Sequence, residues 1–175
     1  FASYFVSIGK KTTIIVTGER ILRGMSKEIS QQLSLVLKRK GLNIITGAKI
    51  KQLHSDKVEF STDKGGEQVV LGKVVSAVGR KANVEDLGLE NAGVKFDRFI
   101  YVDDNMRTNV DNIYACGDVV GRYQLAHFAA ASAITAVESI ANKEHSIDLS
   151  VCPACIYTQP EIAVVGKTMA EEGDR

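Results

Sequence analysis

Apolar residues in the first third of the chain predict a strand, a helix and a second strand. Residues 12–16 form a short β-branched run, which is typical of a strand. From residue 29 to residue 37 the apolar positions recur every three or four residues, as they do on one face of a helix. Ser26 can cap that helix and Gly41 can end it. Residues 42–46 then predict a second strand, parallel to the first because a helical crossover separates them.

The pattern changes after residue 46 to short alternating pieces. Residues 49–53, 57–61 and 67–71 have the two-residue period of a strand, and Gly65-Gly66 is a typical hairpin turn. Together they predict a small antiparallel meander. Residues 73–78 form an apolar run that predicts one further strand.

Shorter apolar runs and one long helix make up the second half of the chain. Residues 100–102 predict a strand, and residues 113–116 predict another that is buried on both faces, with Cys116 as a small buried side chain. Residues 124–142 predict a helix rich in small residues, which can pack closely on a sheet or beside a bound ring. This succession of strands and helices predicts an α/β fold.

Charge and composition restrict the classes of partner. The 22 basic and 21 acidic side chains nearly cancel, which argues against a nucleic acid or a membrane surface bound by charge. The longest apolar stretch, around residues 128–137, is too short to span a bilayer. Three cysteines favour reduced thiols over a disulfide scaffold. We therefore expect a cytoplasmic protein with neither a nucleic-acid nor a membrane partner.

Asp118 is the residue with the clearest candidate chemistry. The string TNVDNIYACGD (residues 108–118) sets a glycine and an acid directly after the predicted buried strand. Gly117 permits close backbone approach, and Asp118 would stand at the carboxyl end of the strand, where open α/β sheets bind their ligands. Its carboxylate is suited to accept hydrogen bonds from sugar or ribityl hydroxyls. The alternative is an ordinary strand followed by a polar turn.

Five segments of the chain resemble, in order, the motifs of one enzyme family. They are SAVGRKAN (76–83), YVDDNMRTN (101–109), TNVDNIYACGD (108–118), LAHFAAASAITAVESIA (125–141) and PACIYTQPEIAVVGKT (153–168). They are similar to motifs of the FAD-dependent pyridine nucleotide-disulfide oxidoreductases, and most of all to those of the dihydrolipoamide dehydrogenases. TNVDNIYACGD resembles the second flavin-binding motif of that family.

The resemblance implies Rossmann-like, three-layer nucleotide-binding domains. Residues 1–80 would be a partial NAD(P)-binding domain and residues 81–148 the carboxy-terminal part of an FAD-binding domain. Residues 149–175 would begin an α+β dimer-interface domain. Family members are much longer than 175 residues, and neither a G-x-G-x-x-G loop nor the redox cysteine pair of the family occurs here. We therefore expect an internal fragment that has no catalytic residue of its own and does not retain its cofactors.

The parent enzyme implied by the resemblance passes electrons from a dithiol through an enzyme disulfide and FAD to NAD or NADP. Its partners would be the nicotinamide cofactor and a dithiol or disulfide substrate. It would be a homodimer and could belong to a 2-oxo acid dehydrogenase complex. Glutathione, mercuric and coenzyme A disulfide reductases of the same family stay open as alternatives. So does a non-catalytic module for nucleotide binding or protein interaction.

The resemblance also implies which residues would contact the flavin. Asp118, after the turn at Gly117, would hold the ribityl chain. A helix amino terminus offers free N–H groups and partial positive charge, which suit a reduced flavin ring. Backbone contacts there would come from Gln124, Leu125, Ala126 and His127. A histidine in a first helical turn more often packs or hydrogen-bonds than catalyses, so we assign no catalytic role to His127.

Residues of the nicotinamide-cofactor side are less clearly marked. By resemblance, Val16 stands where NAD enzymes carry a ribose-binding acid, and Arg23 stands where some NADP enzymes carry an arginine. Arg20 is close enough to help, although both arginines could merely solvate a loop. Ile50 would lie on the adenine side and Gly79 near the nicotinamide arm. The downstream motifs favour NAD, and NADP remains open.

The string CPAC, from Cys152 to Cys155, has the spacing of thioredoxin-like redox pairs. A working pair usually lies at a helix amino terminus, whereas this one leads into a predicted strand. Two thiols alone do not complete a tetrahedral zinc site. We therefore expect neither a redox role nor a metal role for these cysteines.

Overall fold

The computed structural model of the chain describes residues 1–166. These residues divide into two compact units. The first unit comprises Phe1–Ala77 and Cys155–Ala163, and the second comprises Val78–Ala154 and Val164–Gly166. Helices and strands are mixed along the chain, and the fold is of the α/β class.

A strand, a helix and a parallel strand form the centre of the first unit. Strand β1 is Thr13–Ile15, helix α2 is Lys27–Arg39 and strand β2 is Asn43–Ile45, and a short helix α1, Ala2–Ser7, precedes them. β1 and β2 are paired in parallel. Because two parallel strands need a crossover connection, α2 must return the chain to the end at which β1 began. The predicted strand, helix and strand are confirmed.

Helix α2 begins and ends where its sequence predicts. The Ser26 hydroxyl accepts a hydrogen bond from the backbone N–H of Ile29 at 3.3 Å, which satisfies one of the free donors at the helix start. Gly41 follows the last turn. The buried stripe of the helix includes Leu33 and Leu37, each only 3% exposed. These leucines pack in one cluster with two further buried residues, Ile21 and Leu42.

The predicted antiparallel meander is also confirmed. Strands β3 (Ala48–Leu53), β4 (Lys57–Thr62) and β5 (Gly66–Leu71) form a three-stranded sheet in that order. The inward face of β4 carries Val58 and Phe60, which are buried. Their burial explains the two-residue period of the sequence, because alternate side chains of a strand point to opposite faces.

Residues near the end of the described chain attach to the first unit. The backbone N–H of Gln159 donates to the Ser3 hydroxyl at 3.1 Å, and the Lys40 ammonium donates to the Gln159 carbonyl at 2.9 Å. Strands β6 (Ala154–Ile156) and β7 (Ile162–Val164) on either side of Gln159 pair with one another.

The second unit contains little regular strand. Its elements are a 3-10 helix at Gly117–Val120 and helix α3 at Ala126–Ile140, so the predicted long helix is confirmed. Its core cluster comprises four buried residues, Ala82, Val84, Val94 and Ile100.

Three predicted strands are wrong. Residues 73–78 are irregular, and residues 100–102 and 113–116 form only isolated bridges to neighbouring backbone. Cys116, predicted to be buried, is exposed. A strand requires a hydrogen-bonded neighbour along its length, and within residues 1–166 these runs lack one. Val78 is accordingly 94% exposed despite its high strand propensity.

Candidate functional site

Gly117 forms a tight turn against helix α3. Its φ of +80° lies in the left-handed region, which favours glycine. A Cβ atom at this position would lie 3.4 Å from Cβ of Ala129. The buried N–H of Gly117 donates to the Ser132 hydroxyl at 3.1 Å. The backbone before Asp118 is therefore fixed by close packing and by a buried hydrogen bond.

Asp118 follows in the first turn of the 3-10 helix, with its side chain 34% exposed. Its carboxylate oxygen Oδ2 lies 2.9 Å from Nη2 of Arg80. The carboxylate is thus partly shielded from water, and one of its two oxygens is held by a cation. A charged acceptor of this kind forms hydrogen bonds about twice as strong as a neutral acceptor does.

The amino terminus of α3 presents free backbone donors close to Gly117 in the sequence. Leu125 is the N-cap, with φ −129° and ψ 136°, and no side chain caps the helix. Gln124 and Leu125 are half-buried, whereas Ala126 and His127 are exposed. The first N–H groups of a helix have no intrahelical acceptor, so this end can donate hydrogen bonds and favours negative charge.

The His127 side chain forms a hydrogen bond to the backbone. Its Nε2 lies 2.6 Å from the carbonyl oxygen of Pro153. Because a carbonyl oxygen can only accept, the Nε2–H group donates this hydrogen bond and ties the start of α3 to the segment before β6. The contact fits the predicted hydrogen-bonding role.

Val16, predicted to lie on the nicotinamide-cofactor side, directly follows β1. Its N–H donates to the Ile45 carbonyl at 2.8 Å, and its carbonyl accepts the N–H of Ala48 at 3.0 Å. Its half-buried side chain packs against the cluster that contains Leu33 and Leu37. The backbone at this position is therefore held firmly, and the side chain contributes apolar contact only.

Arg20 and Arg23 differ in what their side chains do. The Arg20 guanidinium donates from Nη2 to the carbonyl of Arg23 at 3.0 Å and to that of Met25 at 3.1 Å. Arg20 therefore ties its own loop together. The exposed Arg23 covers Gly18 with its aliphatic stem, since a Cβ atom built there would lie 2.8 Å from Arg23 Cδ. Of the two, Arg23 is the arginine whose charge faces solvent.

A shallow cavity of about 380 Å³ lies beside this loop. Its lining includes acidic and hydroxyl groups and three cationic side chains. The cations are Arg20, Lys27 and Lys38. The sequence predicts no site role for the two lysines, because both are exposed positions of α2.

Ile50 and Gly79 belong to different units. Ile50, on β3 of the first unit, is 41% exposed and lies at an irregularity in the pairing with β4. Gly79, in the second unit, is exposed and has a φ of +125°.

Comparison with known families decides the classification. The sequence profile described as pyridine nucleotide-disulphide oxidoreductase matches residues 1–133. The chain belongs to this family. The resemblance inferred from the five motifs is confirmed.

Two curated members of the family are similar over nearly the whole chain. The dihydrolipoyl dehydrogenase of Bacillus subtilis is 39% identical over 179 aligned residues, which cover 98% of this chain and 38% of the relative. The dihydrolipoyl dehydrogenase of Chlamydia pneumoniae is 37% identical, with the same coverage of 98% and 38%. The chain therefore spans about 38% of the length of these relatives.

Two solved structures show the same fold. LpdA from Mycobacterium tuberculosis matches with a TM-score of 0.84 and 24% identity, covering 99% of this chain and 39% of that one. The Cu(II) complex of the HOCl-induced flavoprotein disulfide reductase RclA from Escherichia coli matches with a TM-score of 0.81 and 24% identity, covering 100% and 41%.

The cysteines of this family member are free thiols, and the structure supplies no reason to call them reactive. Burial raises the pKa of the Cys152 thiol, which disfavours the nucleophilic thiolate. Cys116 and Cys155 are exposed. Within residues 1–166 no three metal-ligating side chains of His, Cys, Asp or Glu come together.

Two residues that complete the Asp118 region were not predicted. Arg80 lies within the motif SAVGRKAN, and Ser132 lies within the predicted helix of small residues. Arg80 contacts Asp118, and Ser132 holds Gly117. A polar residue interrupting an apolar helix was the available signal for Ser132, whereas no local pattern points from Arg80 to Asp118.

Proposed function

We propose that the chain is part of an FAD-dependent dihydrolipoyl dehydrogenase. The observation that carries the proposal is the half-buried carboxylate of Asp118, placed after a left-handed glycine and close in sequence to the uncapped amino terminus of α3. The identity of 39% to a curated dihydrolipoyl dehydrogenase supports this activity over the other disulfide reductases. Within the full-length enzyme, electrons would pass from a dithiol through an enzyme disulfide to NAD(P).

The residues present fit the polar parts of a flavin. Asp118 would accept hydrogen bonds from ribityl hydroxyls, and the N–H groups at Leu125, Ala126 and His127 would donate to the pyrimidine end of the ring. When bound, FAD supplies the two-electron transfer between the disulfide and the nicotinamide. The residues of this chain would bind and orient the flavin. The chain carries none of the residues proposed to exchange electrons or protons with the substrate.

For the nicotinamide cofactor, we propose NAD, with NADP as the alternative. The downstream motifs, which resemble those of dihydrolipoamide dehydrogenases, favour NAD. The exposed guanidinium of Arg23 and the absence of an acid at Val16 favour an attraction for a 2′-phosphate. Ile50 would lie on the adenine side and Gly79 near the nicotinamide.

We assign residues 1–80 to the NAD(P)-binding domain, residues 81–148 to the FAD-binding domain and residues 149–175 to the start of the dimer-interface domain. The last nine of these residues lie outside the part that the structure describes.

We propose that the full-length protein is a cytoplasmic homodimer, which could belong to a 2-oxo acid dehydrogenase complex. In residues 1–166 no helix combines the length and the apolar character needed to cross a bilayer. Without a G-x-G-x-x-G loop, the chain by itself should retain no stoichiometric FAD.

The proposal is tested by Asp118→Ala in the full-length protein. Loss of a charge-assisted acceptor, worth about 1.5–3 kcal/mol, should weaken FAD binding about tenfold to a hundredfold. Titration of the apoprotein with FAD measures the dissociation constant. Asp111→Ala removes an exposed carboxylate from the same unit and serves as the matched control. Equal FAD affinity in the Asp118 variant and the wild type would reject the assignment.

A further inference from the structure

Arg80 and Asp118 form an ion pair within the second unit. Nη2 of Arg80 lies 2.9 Å from Oδ2 of Asp118. The arginine side chain is 71% exposed and that of the aspartate 34% exposed. The arginine therefore reaches from solvent to a carboxylate that is more shielded than itself.

The backbone before Arg80 turns sharply. Gly79 has a φ of +125°, which lies in the region that favours glycine. The residue after Arg80, Lys81, pairs with Glu85 instead. Of these two adjacent cations, one is directed to Asp118 and the other to a residue four positions along the chain. A general excess of positive charge would not produce this division.

The pairing leaves half of the carboxylate available. A carboxylate has two oxygens and about four acceptor sites. Arg80 holds Oδ2, and within residues 1–166 no hydrogen bond reaches Oδ1 of Asp118. One oxygen is thus paired with a cation, which favours one orientation of the carboxylate, and the other can accept from a hydroxyl-bearing ligand.

We infer that Arg80 is a positioning residue for the flavin site, which orients the Asp118 carboxylate for the ribityl hydroxyls. The inference rests on the proposed function, because it takes the Asp118 ligand to be FAD. The same contact admits the opposite effect, in which Arg80 competes with the ligand for Asp118. The two effects predict changes of opposite sign when the guanidinium is removed.

The test measures the FAD dissociation constant of the full-length apoprotein with Arg80→Met. Because exposed ion pairs are weak, removal of the guanidinium should weaken FAD binding roughly threefold to fivefold. Arg80→Lys keeps the charge and should recover part of the affinity. Lys81→Met removes the neighbouring charge and should leave affinity unchanged.

A double variant separates positioning from a purely structural role. In an Asp118→Ala background, Arg80→Met should have no further effect on FAD affinity, because its target is gone. Tighter or unchanged binding in Arg80→Met overturns the inference. So does an equal loss in Lys81→Met, or the same loss in the Asp118→Ala background. If Asp118→Ala alone leaves FAD affinity intact, the proposed function fails first, and the two failures are thereby distinguished.

Discussion

The Ser132 hydroxyl accepts the buried backbone N–H of Gly117 at 3.1 Å and donates to the carbonyl of Ala129 at 3.0 Å. This contact joins the turn before Asp118 to the second turn of α3, 15 residues along the chain. Ser132 is fully buried. The position of the candidate flavin acceptor therefore depends on a buried hydroxyl of α3.

Ser132→Ala should destabilise the chain by about 1–3 kcal/mol, because it leaves the buried N–H of Gly117 without an acceptor. The free energy of unfolding in urea measures the change. Ser139→Ala is the control on the same helix. The hydroxyl of Ser139 donates to the Thr135 carbonyl and contacts exposed His145, so its loss should change stability by no more than about 0.5 kcal/mol. Equal losses in the two variants would contradict the special role of Ser132.

Cofactor choice should change at Val16. Val16→Glu would add a ribose acceptor and repel a 2′-phosphate, so the ratio of NAD to NADP efficiency should rise about tenfold or more. Steady-state kcat/KM of the full-length enzyme with each cofactor measures the ratio. Because the Val16 side chain packs on an apolar cluster, the variant should also lose some stability.

The two arginines provide the controls for that experiment. Arg23→Ala should lower efficiency with NADP alone, since its guanidinium faces solvent. Arg20→Ala should impair both cofactors, because Arg20 holds the carbonyls of Arg23 and Met25. Arg39→Ala removes an exposed cation from the end of α2 and should alter neither. A flat ratio in both Val16→Glu and Arg23→Ala would show that the adenosine pocket lies elsewhere.

Acid should weaken the fold through Glu138. The Ser146 hydroxyl and N–H donate to its carboxylate at 2.6 and 3.0 Å, and these hydrogen bonds lower the pKa of Glu138. A pKa that is lower in the folded state gives stability that is present above the unfolded value, about 4.3, and is lost as the pH falls through the folded value.

Melting temperatures between about pH 3 and pH 7 test this expectation. Glu138→Gln should reduce the melting temperature near neutral pH and flatten its fall in acid. Glu144→Gln, an exposed change in the segment that follows α3, should keep the wild-type slope. If the melting temperature of Glu138→Gln falls with acid as steeply as that of the wild type, Glu138 does not contribute to the acid sensitivity.

Local signals account for the elements that the sequence predicted correctly. Ser26 and Gly41 bound α2 through caps that act within one turn, and Gly65-Gly66 closes a hairpin between adjacent strands. The failures at residues 73–78 and 113–116 have another cause. A strand depends on distant neighbours, and apolar content does not reveal whether they are there.

The candidate site divides in the same way. Gly117, Asp118 and the amino terminus of α3 could be predicted because a turn, an acid and a helix start follow one another within one short stretch of sequence. The ion pair from Arg80 to Asp118 could not, because it joins separate segments of the second unit. Nor could the engagement of Arg20 with backbone carbonyls, since an arginine looks the same in sequence whether it binds a phosphate or its own loop.

The two sheets of the first unit differ in the sequence separation between their paired strands. Parallel pairing of β1 with β2 brings together Thr13 and Asn43, which are 30 residues apart, whereas each hairpin of the meander joins strands that are consecutive in sequence. Closing a longer loop costs more chain entropy and slows the search for contacts. We therefore expect the meander to acquire protection from hydrogen exchange first during refolding, before the parallel strands that carry Val16 come together.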